Sequence, residues 1–110
     1  MGTSKTEEFT EKQNRLANFA RAIGHPARVA ILEHLLDNGK SNCGDIVQKL
    51  PLAQATISQH LKELKDAGLI KGNSKGNAVS YSVNGDAFGK FEKRMLNVFK
   101  KVRKYEKRQD

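Results

Sequence analysis

Residues 41–68 read SNCGDIVQKLPLAQATISQHLKELKDAG, and the fold turns on how this stretch is parsed. Cys43, Ile46, Val47 and Leu50 fall at i, i+3, i+4 and i+7, the spacing of one apolar helix face, with Ser41 and Asn42 as candidate N-caps. Pro51 ends that helix, because its ring pushes the residue before it out of the helical region. A second helix starts near Ala53 or Gln54, carries Ile57, Leu61 and Leu64 on one side, and stops at Ala67-Gly68. The gap of about three or four residues between the two is the length of a helix-turn-helix corner. The helix-turn-helix therefore spans about 41–67.

With Ile57, Leu61 and Leu64 turned inward, ~100° per residue puts Ala55, Ser58, Gln59 and Lys62 on the outward face, with Gln54 and Thr56 near the leading turn. Such a face can be nothing more than solvated polar surface. It is also the right chemistry for base edges: Gln pairs bidentately with adenine, and Ser or Thr serves several bases. Lys62, further along, suits a phosphate.

Upstream, Phe9, Leu16, Phe19, Ala20 and Ile23 form one helical stripe over 7–23, behind a short arm (1–6) expected to be disordered. Gly24-His25-Pro26 breaks it, and Pro26 suits the first turn of a new helix. Val29, Leu32, Leu35 and Leu36 continue that helix until Asn38-Gly39. Downstream, Leu69-Ile70-Lys71 and Ala78 to Val83 flank a Gly/Asn/Ser/Lys connection over 72–77. Val79, Tyr81 and Val83 alternate with Ala78, Ser80 and Ser82, so 69–84 reads as a β-hairpin with a flexible basic tip carrying Lys75. That loop can lie along DNA or simply be exposed. A final helix, about 86–104, spaces Phe88, Phe91, Met95, Val98, Val102 and Tyr105 by three and four in turn, the seam of a coiled coil. The order is helix, helix, helix-turn-helix, hairpin, helix: a mainly α (α+β) winged helix-turn-helix, one domain over 7–105.

Composition narrows the partners. The chain has 110 residues and a net charge of +8. Residues 86–110 hold nine Lys/Arg against four Asp/Glu, and 1–85 hold eleven against eight. This balance favours polyanions, nucleic acid before an anionic membrane surface. The longest apolar run, Val29–Leu32, is far short of the ~20 residues of a membrane span. Met1 to Arg15 is polar, with no secretory apolar core, so a cytoplasmic protein is expected, at the nucleoid when on DNA. Cys43 is the sole cysteine, which excludes disulfide frameworks, zinc ribbons and iron–sulfur carriers. Phosphate-loop, nucleophile-elbow and His-Glu-x-x-His motifs are missing, so no catalysis is expected.

The residues also resemble a known family. Gly24-His25-Pro26-Ala27-Arg28-Val29-Ala30-Ile31-Leu32 is similar to the Pro-x-Arg-x-x-Ile-Leu pattern of the ArsR/SmtB-like bacterial repressors. Ala55 to Leu64 followed by Ala67-Gly68-Leu69-Ile70 is similar to their Ser-x-His-Leu-x-x-Leu-x-x-Ala-Gly-Leu-Val segment, and Gly76 and Tyr81 fit the wing. The resemblance covers about 16–84. It implies a repressor that binds a palindromic operator in double-stranded DNA and pairs as a homodimer through its first and last helices. Phe9, Leu16, Phe19, Phe88, Phe91, Met95, Val98 and Val102 are the expected interface. By position, Gln54, Ala55, Thr56, Ser58 and Gln59 would face the major groove. His60, roughly 300° from Ile57, borders the buried stripe and suits helix packing or a backbone contact. Arg28 either touches a phosphate or pairs locally with Glu33 or Asp37, and Lys75 meets the backbone from the wing.

Metal sensing, common in that family, has no counterpart here. Aligning Asp45 with the family's Cys-x-Cys-Asp puts Asn42 and Gly44 where the cysteines belong, and Cys43 falls on the buried face as a small hydrophobe. The last helix has no histidine; His25, His34 and His60 are the whole supply, and His34 beside Glu33 and Asp37 reads as a solvated position. No metal or cofactor is expected, and the effector stays unnamed. Ala53 stands where relatives carry a Ser cap. The competing expectation is a winged-helix module that docks a protein instead of specific DNA, which would give no gel shift even at low salt.

Overall fold

In the computed structural model, which describes residues 7–109, the chain runs α1 (Glu11–Ile23), α2 (Pro26–Asn38), β1 (Ser41–Asn42), α3 (Cys43–Lys49), α4 (Gln54–Asp66), β2 (Ile70–Lys75), β3 (Ala78–Val83) and α5 (Gly85–Gln109). The arm expected at 1–6 lies outside the described residues.

Local chemistry sets most of these boundaries. Thr10 and Gln13 form a reciprocal capping box, each side chain accepting from the other's backbone N–H at 3.0 Å. That box starts α1 at Glu11, later than the expected residue 7, and leaves Phe9 ahead of the helix and 56% exposed. His25 caps α2 through Nδ1, which accepts from the Ala27 N–H at 3.0 Å, and Pro26 occupies the first helical position. Asn42 is the cap of α3, accepting from the Asp45 N–H at 2.8 Å. Leu50 is extended (φ −110°, ψ 143°) before Pro51, so α3 ends where the proline requires.

Three expectations change. Ser41 is not a cap: it is buried, and Ser41 and Asn42 pair with Tyr81 and Ser80 as a two-residue strand. A strand that short has no alternation to read. The six-residue wing tip is really a two-residue turn, since β2 pairs with β3 out to Lys75↔Ala78. Gly76 has φ 66° and Asn77 does not share a positive φ, the mark of a type II′ turn, whose twist matches the flanking strands. In α2 the buried residues are Ile31, Leu32 and Leu35, while Leu36 is 67% exposed and Val29 is exposed as well. They stand roughly 95° and 115° from the centre of the buried face at ~100° per residue.

The sheet order is β1-β3-β2, all antiparallel, and it lies against the helices. Ile57, Leu61 and Leu64 of α4 share one buried cluster with Ile31 and Leu35 of α2 and Ile46 of α3. Phe19 of α1 closes this core against α5. Its ring stacks on Phe91 at 3.8 Å between centroids and meets Phe88 edge-on at 5.0 Å. Phe19, expected at a dimer interface, thus lies in the chain's own core, with Phe88 and Phe91 half-buried upon it. Leu16 and Met95 are half-buried too. The helix then continues past the expected Lys104, and Leu96, Val98, Phe99, Val102 and Tyr105 are exposed along it.

Replacing Phe19 by Ala removes this closure. Urea denaturation should show a loss of about 3–5 kcal/mol, against about 0.5 kcal/mol or less for Leu36→Ala on the exposed side of α2.

Candidate nucleic-acid interface

The corner between α3 and α4 presents α4 with one face in the core and one in solvent. Gln54, Ala55, Thr56, Ser58, Gln59 and Lys62 are all exposed, opposite buried Ile57, Leu61 and Leu64. Ala53 leaves α4 without a side-chain cap, as its chemistry requires.

Short contacts hold the exposed residues in position. The Cys43 Sγ lies 3.5 Å from the Ser58 Oγ, so α3 touches α4 at the middle of its polar face, and Cys43 is half-buried there. Gln59 Nε2 donates to Glu63 Oε1 at 3.4 Å, and Lys62 Nζ to Asp66 Oδ2 at 2.7 Å. The Asp66 hydrogen bond raises the Lys62 pKa, keeping it a cation. Both pairs are solvent-exposed i,i+4 contacts, screened by water, so a phosphate or base edge can replace them at little cost.

His60 is 8% exposed and belongs to the helix junction. Its Nδ1 accepts from Arg28 Nε at 3.2 Å, and its ring lies 4.5 Å from that of His25. Arg28 also donates from Nη1 to the Ala22 carbonyl at 3.1 Å, tying α1, α2 and α4 together. Neither Glu33 nor Asp37 is its partner, contrary to the local pairing considered above. Burial, then the nearby His25 and Arg28, lower the His60 pKa, while Glu63 acts weakly the other way. His60 is therefore a neutral acceptor at Nδ1.

His34 is not the solvated position expected of it. It is half-buried, with Nε2 3.1 Å from Ser41 Oγ and Nδ1 3.3 Å from Asn38 Nδ2. The missed signal is β1, which brings Ser41 under α2. Lys75 is exposed at the end of a paired strand, directly before the Gly76-Asn77 turn, instead of in a loose tip. Lys65 lies over the wing, within 3.4 Å of where a Cβ on Gly72 would stand. Among the described residues no three His, Cys, Asp or Glu side chains converge as metal ligands.

Comparison with known proteins follows this geometry. A family model described as bacterial regulatory protein, arsR family, matches residues 25–71. An HTH-type transcriptional regulator of Methanocaldococcus jannaschii is 37% identical over 69% of this chain and 85% of that protein. The transcriptional repressor SdpR of Bacillus subtilis is 36% identical over 76% of this chain and 92% of its own length. An ArsR-like transcriptional regulator from Rhodococcus superposes with a TM-score of 0.77 at 20% identity, over 87% of this chain and 90% of that one, a likeness of fold.

Two outcomes follow from the α4 junction. Because the folded His60 pKa lies below the ordinary histidine value of about 6.5, the unfolded chain binds its proton first. Stability should be full above that value and fall as the pH drops toward the folded pKa. Thermal melts from pH 8 to 5 check this, and His60→Asn, whose Oδ1 can accept from Arg28 without titrating, should flatten the slope. Ala53→Ser should add about 1 kcal/mol by supplying the missing cap.

Proposed function

The chain belongs to the ArsR family of bacterial regulatory proteins, and from that membership we propose that it represses transcription by binding a palindromic operator as a symmetric dimer. As a transcriptional regulator it is not an enzyme. The observation that carries the DNA-binding reading is the uncovered polar face of α4, free of the terminal helices along its whole length.

In this reading two copies of α4 enter successive major grooves about 34 Å apart. Gln54, Ala55, Thr56, Ser58 and Gln59 meet base edges, and Lys62 and Lys75 meet phosphates. Arg28 reaches a phosphate only by giving up part of its hold on Ala22 and His60, so its first role is to position α4. His60 acts the same way, from inside.

Dimerisation is supported by the apolar seam of α5, where Val98 and Val102 stand exposed with Phe99 and Tyr105 flanking them. Water is a poor neighbour for a contiguous run of such side chains, and a second copy removes it. Of the other residues expected there, Leu16 and Met95 are half-buried, and Phe9 stands exposed ahead of α1. Site of action on DNA implies a cytoplasmic, nucleoid-associated protein, and no helix among the described residues is long and apolar enough to cross a membrane.

The test is fluorescence anisotropy on promoter DNA and on scrambled duplexes. Ser58→Ala and Gln59→Ala should narrow the gap between the two by about 1–3 kcal/mol per lost base contact. Lys75→Ala should weaken both equally and lower the salt slope by about one. With ~6–10 phosphates neutralised per dimer, wild-type affinity should drop about 10³–10⁵ between 50 and 200 mM salt. Unchanged sequence preference in both α4 variants would refute the base-reading role.

A further inference from the structure

We propose that the groove between α1 and the flank of α5 binds a free amphipathic anion, a carboxylate or phosphate head on an apolar chain or ring. The groove has a volume of about 510 Å³, within the usual small-molecule range of roughly 300–1,000 Å³. Leu16, Phe19, Ala87 and Phe91 give it an apolar wall. Lys12, Arg15, Lys90, Lys93 and Arg94 ring it, and among the described residues no carboxylate lines it. Glu11 reaches Arg15 at 2.6 Å, but that pair is exposed and lies on α1 alone.

Arg94 supplies the second observation. Arg94 is half-buried, its Nε goes unbonded among the described residues, and four further cations stand around it. An anionic head group supplies both an acceptor and a counter-charge, since a guanidinium presents its donors as a fork to carboxylate or phosphate. The apolar wall requires the remainder of the ligand to be apolar.

Position on the helix separates this groove from the seam. At ~100° per residue, Ala87, Lys90, Arg94 and Asn97 centre roughly a quarter turn away from Phe91, Met95, Val98 and Val102. A second copy centred on Val98 and Val102 therefore meets the groove along the shared Phe91 edge and leaves its cationic flank open. The enclosure of the ligand between two helices favours a single soluble molecule over a lipid surface, which would meet a flat face. The inference goes beyond the DNA-binding reading and stands without it.

Calorimetric titration of the full chain with decanoate, kept below its micelle concentration, tests the site, with decanol and decyltrimethylammonium as matched controls. Decanoate should bind at least about tenfold more tightly than decanol, and the ammonium should not bind. Arg94→Gln and Lys90→Gln should each weaken decanoate by about tenfold with an unchanged melting curve. Arg103→Gln, on the exposed side of the same helix, should leave it unaltered. Equal binding of decanoate and decanol, or equal damage from Arg103→Gln, overturns the proposal. So does binding to anionic vesicles without binding to monomeric decanoate, which makes the face a membrane contact. Sedimentation alongside the titration decides the last case: a dimer that excludes decanoate means that a second copy fills the groove. Anisotropy on DNA reports separately on the α4 reading.

Discussion

Everything on the exposed polar face of α4 depends on burying Ile57, Leu61 and Leu64. Each is essentially inaccessible to water, and burial of such a side chain contributes about 1.5–3 kcal/mol. A roll of α4 by one residue would drive Ser58 or Lys62 into the core and an isoleucine or leucine out. Against a net stability of about 5–15 kcal/mol for a domain, that exchange is prohibitive. The exposed face is consequently defined by what it is opposite to. Arg28, through His60 and the Ala22 carbonyl, and Cys43, against Ser58, refine the setting from two other helices.

The central strand of the sheet is β3, which pairs with β2 on one side and β1 on the other. Since Asn42 belongs to β1 and also caps α3, the wing and the start of the helix-turn-helix share one residue. A displacement of the wing is felt at the first turn of α3, and through Cys43 at Ser58. The tight turn at Gly76-Asn77 makes the wing a paired ribbon to its end, so Lys75 is held by a ladder of backbone hydrogen bonds rather than by loop chance.

Periodicity made the helices legible, and the outward face of α4 with them, because a buried stripe at helical spacing leaves only one arrangement for the rest. What periodicity cannot express was missed. The Thr10–Gln13 box is a local hydrogen-bond exchange that overrides the apolar pattern at Phe9. Residues 72–75 lack strand formers, yet pair because β3 offers them partners, a tertiary effect that propensity does not carry. The roles of His34 and Arg28 depend on residues distant in sequence, Ser41 and His60, and no spacing rule joins them. In α2 the leucines alone are compatible with either flank of the helix, and the burial of Ile31 beside Leu32 turns the stripe away from Val29 and Leu36.

The apolar stripe of α5 changes partner along its length. Its first turns close the core, with Phe91 stacked on Phe19 and Phe88 against the edge of the same ring. This aromatic contact fixes the rotation of the helix about its axis. Val98 and Val102, within roughly 20° of Phe91 at ~100° per residue, must then continue on the same side. No described residue buries them, so the rotation that completes the fold also directs the unfinished part of the stripe outward. A helix whose seam is half satisfied internally has its second half aimed by the first. In the proposed dimer, the packing of a single phenylalanine would thereby set the spacing of the two α4 helices.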